Sequence, residues 1–249
     1  MPRLSLIVIT KNEEASIGRC LRSAAFADEK VVVDNGSTDK TVEIARACGA
    51  RVIEAPDWPG FGPQKNRALD AATGDWVLSL DADEWIEPPL AAEIQAVLGR
   101  ADAADGYMIS RRSRFCGKVV RFCGWSPDYV LRLFRRGKGR FSNDKVHEHV
   151  DVEGRVGKLR NPIEHDSITD PADAEDKIER YAAAAAEALR AKGKSSSLLK
   201  AWLRGQGAFL RTYILRLGFL DGKTGWAVAD YNRRYTFRKW HKAGKHADP

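Results

Sequence analysis

Short apolar runs alternate with amphipathic stretches through the first hundred residues. Leu4-Ser5-Leu6-Ile7-Val8-Ile9-Thr10, Lys30-Val31-Val32-Val33-Asp34, Arg51-Val52-Ile53-Glu54 and Trp76-Val77-Leu78-Ser79-Leu80 have the length and apolar content of strands, the longer ones buried on both faces of a parallel sheet. The stretches between them carry helical spacing. Asn12 with Glu13 and Glu14 predicts a cap and acidic first turn of a helix reaching about Ala25. Val42, Ile44, Ala45 and Cys48 before Gly49 predict a second helix, and residues 64–72 a third, after a loop from Ala55 to Pro63. A fourth is expected over residues 88–98. The repeating strand–helix order is that of an α/β fold with a parallel sheet.

Beyond it the pattern changes. Gly106 to Arg111, Lys118 to Phe122 and Tyr129 to Arg135 predict strands joined by polar turns, followed by Val146 to Val152 and Pro162 to Asp166. From Asp173 the chain reads as helical to its end, through an alanine-rich run from Tyr181 to Leu189 and a basic, aromatic tail. Leu199, Leu203, Leu210, Ile214 and Leu217 repeat at helical intervals, and Trp202, Phe209, Tyr213, Phe219, Trp226, Tyr231, Tyr235, Phe237 and Trp240 are interleaved with Lys and Arg. That mixture suits either packing on a core or the headgroup zone of an anionic membrane.

Composition narrows the classes. Lys and Arg number 41 against 34 Asp and Glu, a formal net charge of +7 that favours polyanionic or phosphorylated partners. The four cysteines form no C-x-x-C pair, so neither a zinc site nor a disulfide framework is indicated and a reducing compartment fits. No stretch is apolar enough to span a bilayer, and the run Leu4 to Ile9 is too short for a secretory leader.

The candidate chemistry lies at the strand ends. The run from Trp76 stops at Asp81-Ala82-Asp83-Glu84, and carboxylates that close repel one another unless a cation lies among them. Thr10-Lys11-Asn12-Glu13 and Asp34-Asn35-Gly36-Ser37 follow the first two strands, and in a parallel sheet those ends face one ligand crevice. An ordinary loop or a helix cap explains any one of these; their coincidence is harder to explain that way.

The four segments 5–14, 32–39, 64–69 (Gln-Lys-Asn-Arg-Ala-Leu) and 80–84 together resemble the family 2 glycosyltransferases of GT-A fold, over roughly the first three fifths of the chain. Leu131-Arg132-Leu133-Phe134-Arg135 and Val146-His147-Glu148, with the helical tail, resemble the branch that includes bacterial lipopolysaccharide-core glucosyltransferases. The resemblance implies an α/β GT-A catalytic domain over residues 1–170 and a helical, basic extension over 171–249. It implies a nucleoside diphosphate sugar donor, a UDP-sugar by expectation, cupped by Thr10, Asn12 and Glu13 with Asp34 on the base, and with Lys65 and Arg67 near the diphosphate. A divalent cation, Mg²⁺ or Mn²⁺, is expected on Asp83, with Asp81 contacting the ribose of the nucleotide sugar or reaching the ion through water, and His165 as a further ligand. An inverting displacement also needs a base for the acceptor hydroxyl: Glu148 is the candidate, with Asp128 and Glu84 as rivals.

The acceptor is expected to be a glycan or glycolipid, and the enzyme cytoplasmic, peripheral at the inner face of the cytoplasmic membrane. Two other classes compete. A sugar nucleotidyltransferase would carry a glycine-rich, Arg-containing phosphate loop after the first strand, where this chain has Lys11-Asn12-Glu13-Glu14. A nucleic-acid-binding protein would use the basic tail but leaves the acid clusters unexplained, so no nucleic acid is expected.

Overall fold

In the computed structural model, which describes residues 2–142 and 149–244, the chain forms two compact units, Met1–Arg111 with Asp128–His165, and Arg112–Pro127 with Asp166–Pro249. The strands are β1 (Leu4–Thr10), β2 (Glu29–Asp34), β3 (Arg51–Glu54), β4 (Trp76–Asp81), β5 (Glu84–Trp85), β6 (Gly106–Phe115), β7 (Lys118–Val119), β8 (Asp128–Arg135), β9 (Gly139–Phe141), β10 (Val150–Val152), β11 (Val156–Lys158) and β12 (Ile163–Ile168). The helices are α1 (Ile17–Ser23), α2 (Thr41–Ala47), α3 (Phe61–Ala71), α4 (Pro88–Leu98), α5 (Pro171–Ala191), α6 (Leu198–Leu210) and α7 (Gly222–Gly244).

The main sheet has the order β3-β2-β1-β4-β8-β6-β12-β5, with β7 and β11 also pairing β6, and β9 and β10 form a separate pair. The first four strands are parallel, and β8 then runs antiparallel to β4. Strand periodicity divides the core between two faces. Leu4, Leu6, Val8, Val32, Leu78 and Leu80 pack with Ile17, Leu21, Leu90 and Ile94 of α1 and α4, whereas Ile7, Val31, Val33 and Val77 meet Ala68 and Leu69 of α3. Strands buried on both faces must be apolar throughout, which is why these runs are legible in the sequence.

Register then aligns the strand ends. Thr10 is opposite Asp34, and Ile9 is opposite Asp81, so β1, β2 and β4 finish side by side.

Several boundaries differ from expectation. The helix expected from Asn12 begins only at Ile17: Asn12 has φ of 54°, and the 12–14 backbone N–H groups donate to side chains of Ser37, Thr41 and Asp39. These bonds replace a helical first turn with a loop stitched to the one after β2. α3 starts at Phe61 and takes Pro63 into its first turn, where a missing N–H costs nothing. The strand expected over residues 118–122 is cut to two residues, because Arg121 and Phe122 give their N–H groups to the Asp221 carboxylate. The short strands β5, β9 and β11 had no periodicity long enough to read.

In the second unit, Asp170 caps α5 by accepting from Ala172 and Asp173, and Pro171 opens the helix. α5 packs a stripe of Ala174, Ile178, Ala182 and Ala186, and Glu175 and Glu179 pair with Arg234, Arg238 and Lys242 of α7.

Leu78 lies in the middle of β4 with no exposed surface. Leu78→Ala should cost about 2–5 kcal/mol, the lost transfer energy plus the cavity. A urea titration should show a lowered midpoint with an unchanged slope.

Candidate active site

The site is assembled at the end of β4. Its centre is Asp81, whose Oδ1 is 3.0 Å from Lys65 Nζ of α3 and whose Oδ2 accepts from Arg132 Nη2 of β8 at 2.5 Å. The same Arg132 nitrogen donates to Glu84 Oε1 at 2.7 Å, and Glu84 Oε2 accepts the Asp81 backbone N–H at 2.9 Å. Arg111 of β6 lies 3.8 Å from Glu84 and donates to Asp128 Oδ2 at 2.8 Å. Two carboxylates this close cannot both remain charged in a buried place without cations, and the neighbouring strands and α3 supply them.

The electrostatics follow from that. Burial alone would push the Asp81 carboxyl up, but the charges and hydrogen bonds of Arg132 and Lys65 hold it well below the usual carboxylate range. Glu84 goes the other way: burial and the adjacent Asp81 charge raise it, despite Arg132. The Cys20 thiol beneath, buried and facing Glu84, Asp81 and Asp83, is pushed well up and stays protonated.

Asp83 follows in the turn to β5. Its Oδ2 is 3.4 Å from His165 Nε2, because β12 pairs antiparallel with β5 and places His165 opposite Glu84. Two residues 82 positions apart in sequence, expected to share a role, are therefore neighbours. Cis ligands of an octahedral ion at about 2.1 Å lie about 3 Å apart, so the Asp83–His165 pair fits two positions of a hard divalent cation. Asp81 is occupied by Lys65 and Arg132. Among the described residues no cluster of three or more His, Cys, Asp or Glu forms a metal site.

The nucleotide-side residues fall at the other strand ends. Thr10 is buried and its hydroxyl has no hydrogen-bond partner, the state expected of a group awaiting a ligand. Asp34 is buried too, and its carboxylate accepts from the backbone N–H of Gly36 and Ser37 and from the Ser37 hydroxyl, fixing the loop. Asn12 Oδ1 accepts from the Thr38 N–H, and Glu13 accepts from Ser16 at 2.5 Å. Asp34, Asn12 and Glu13 thus shape this pair of loops through their own bonds.

Lys65 and Arg67 separate. Two residues apart on a helix, they point to different sides: Lys65 into the acid cluster, Arg67 onto Asp57 and Gln64 at the surface. Arg67 lies outside the cluster. The three candidate bases differ as well. Glu84 has no exposed side-chain surface, which gives an acceptor hydroxyl no route to it. Asp128 is held by Arg111, and Glu148 lies outside the described residues.

Arg132 and Arg111 are the residues whose roles the sequence reading missed. The signal was present: an arginine inside the run Val130 to Phe134 on a central strand must have a buried partner. A cavity of about 480 Å³ opens beside them, lined by Lys65, Asp81, Arg111, Tyr129, Arg132 and Phe141 among others. Strand-end acids, a buried lysine and a carboxylate–histidine pair thus meet at the end of β4.

The family model described as Glycosyl transferase family 2 matches residues 5–157. The chain belongs to this family. Its mixed sheet with C-terminal helices is the GT-A arrangement that the resemblance implied. The lipopolysaccharide core biosynthesis glycosyltransferase LpsC of Rhizobium meliloti (strain 1021) is 36% identical over 168 residues, 63% of this chain and 60% of LpsC. The chain therefore spans less than two thirds of that relative. An uncharacterized glycosyltransferase of Rickettsia typhi, RT0209, is 32% identical over 237 residues, 90% of this chain and 81% of its own. Among solved structures, S. aureus TarS 1–349 in complex with UDP-GlcNAc is 20% identical with a TM-score of 0.49, covering 94% of this chain and 81% of that one.

If Arg132 neutralises the buried pair, Arg132→Met should cost about 3–5 kcal/mol near neutral pH. Without it the already raised Glu84 rises further. A carboxyl raised on folding gives stability that is full below its unfolded pKa and lost as pH rises through the folded one. The variant's deficit should therefore shrink as the pH falls from about 8 to about 5. Denaturant titrations at both values check this; a deficit independent of pH contradicts it.

Proposed function

We propose that this family 2 glycosyltransferase moves a sugar from a UDP-sugar to a glycan or glycolipid acceptor by an inverting single displacement. The observation that carries the reading is the convergence at one sheet edge of Thr10, Asp81, Lys65 and the Asp83–His165 pair. The name of LpsC supports the lipopolysaccharide core as the acceptor class, and with such an acceptor we take the inner face of the cytoplasmic membrane as the place of work. The catalytic domain is taken as residues 1–170.

In this reading Asp83 and His165 hold a Mg²⁺ or Mn²⁺ ion. Bound there, it would supply Lewis-acid stabilisation of the departing diphosphate. Lys65 adds a fixed positive charge where negative charge develops, and its rigid seat on Asp81 means little reorganisation is needed when the reaction occurs. Thr10, Asn12, Glu13 and Asp34 bind and orient the nucleoside: an ionised carboxylate accepts hydrogen bonds only, which matches the imide N–H of uracil. For Asp34 to reach it, the Ser37 hydroxyl must release one carboxylate oxygen. Glu148 takes the acceptor hydroxyl's proton, with Asp128 as its rival.

UDP-sugar hydrolysis and transfer, measured with Mn²⁺ and with EDTA, tests the reading. Chelation or Asp83→Asn should lower turnover on the order of a thousandfold. Full activity of Asp83→Asn in EDTA contradicts the metal role. Glu148→Gln should leave donor binding intact and reduce transfer by about 10²–10⁴-fold. Normal turnover there, with an inactive Asp128→Asn, moves the base to Asp128.

A further inference from the structure

The stretch from Leu198 to Trp226 is built inside out. It comprises α6, the π-helical turn Arg211–Leu215, the 3₁₀ turn Gly218–Asp221 and the start of α7. Its buried residues are all small or polar: Ala201, Gly205, Thr212, Gly218 and Gly225. Its large apolar residues face outward, from Leu199 at 66% exposure through Leu203 and Leu210 to Leu215 at 78%. The small residues let elements approach closely. A Cβ at Gly205 would lie 3.1 Å from the Arg233 carbonyl oxygen, and one at Gly218 would lie 2.8 Å from that of Thr212. A helix folded only for water does the reverse, packing its large apolar side chains inward.

The rest of the tail does not share this face. Tyr231 meets Phe115, Arg204 stacks on Trp240, and α7 beyond Val228 is engaged with α5 and α6. The outward surface is therefore narrower than the basic, aromatic segment as a whole.

Its charge selects the occupant. Lys200, Arg204, Arg211, Arg216 and Lys223 are exposed on this stretch. Its one acid, Asp221, is spent on the N–H groups of Arg121 and Phe122. A second copy of the chain would set these cations against their like, which is unfavourable, whereas anionic headgroups offset them. Trp226 is clasped edge-on by Phe209 and Tyr213, at 4.8 and 5.4 Å, an aromatic group of the kind that favours the membrane–water boundary. No described helix is long and apolar enough to cross a bilayer; an amphipathic helix of this kind that meets a bilayer does so in the interface plane.

We propose that Leu198–Trp226 is a monotopic docking surface for an anionic lipid bilayer, with Leu199, Leu203, Leu210 and Leu215 entering the acyl boundary and Lys200, Arg211, Arg216 and Lys223 meeting the headgroups. It deepens the glycolipid reading of the acceptor and rests on it for purpose, but its test does not. The intact chain and a Leu199→Ser, Leu203→Ser, Leu215→Ser variant are sedimented with vesicles of phosphatidylglycerol and phosphatidylcholine, and with phosphatidylcholine alone. UDP-sugar hydrolysis is followed in parallel. The intact chain should bind the anionic vesicles, more weakly at high salt. The variant should bind at least about tenfold less while hydrolysing the donor as before. Since the substituted residues are exposed, folding should be unaffected, and circular dichroism checks that. Indifference of the intact chain to anionic vesicles, or equal binding by the variant, overturns the proposal. So does a vesicle-free dimer that the variant abolishes, which would make the occupant a second copy. Absence of donor hydrolysis by the intact chain, with its vesicle binding present and lost in the variant, would instead count against the enzymatic reading while supporting the docking surface.

Discussion

The structure depends on the neutralisation of carboxylates at the end of β4. Asp81 and Glu84 are brought together by the turn out of a buried strand, where desolvation alone would raise both carboxyls. Lys65 and Arg132 prevent that for Asp81, and they arrive from opposite directions: one from α3 against the sheet, the other from a strand of reversed direction. The switch from parallel to antiparallel pairing between β4 and β8 is thus tied to the chemistry. It brings a chain segment from fifty residues later back beside the strand that carries the acids, and Arg132 with it.

This arrangement sorts the carboxylates by task. Glu84, enclosed and raised, is a structural counter-ion. Asp81, depressed and gripped on both oxygens, is a fixed negative charge that holds Lys65 in place. Asp83, two residues on, lies beside His165 and outside the grip of Lys65 and Arg132. Three carboxylates within four positions look equivalent in sequence. Their surroundings make them different, and in the proposed reading it is the one outside the cationic clamp that takes the metal ion.

What was legible follows the same division. Strands buried on both faces must be apolar along their length, so β1, β2 and β4 could be read with their ends close to place, and the acids at those ends with them. Pairing across the sheet could not. Nothing local in Val130 to Phe134 says which acid Arg132 meets, and spacing alone did not separate Lys65 from Arg67 until the helix was set against β4. Residues 12–16 misled because their cap-forming side chains and backbone bind the neighbouring loop instead of a helix. The tail was read correctly as helical, but periodicity reports that two stripes exist, not which of them faces inward. Ala201 and Gly205 decide that, by allowing α7 to come close.

The central claim is that the Asp83–His165 pair, not the clamped Asp81, holds the cation that binds the donor diphosphate. Calorimetric titration of UDP into the protein with and without Mn²⁺ tests it most directly. The account predicts that Mn²⁺ tightens UDP binding, that Asp83→Asn and His165→Ala each remove that gain, and that metal-free UDP binding is unchanged by either. Identical affinity with and without Mn²⁺, or a gain that survives both substitutions, would contradict it.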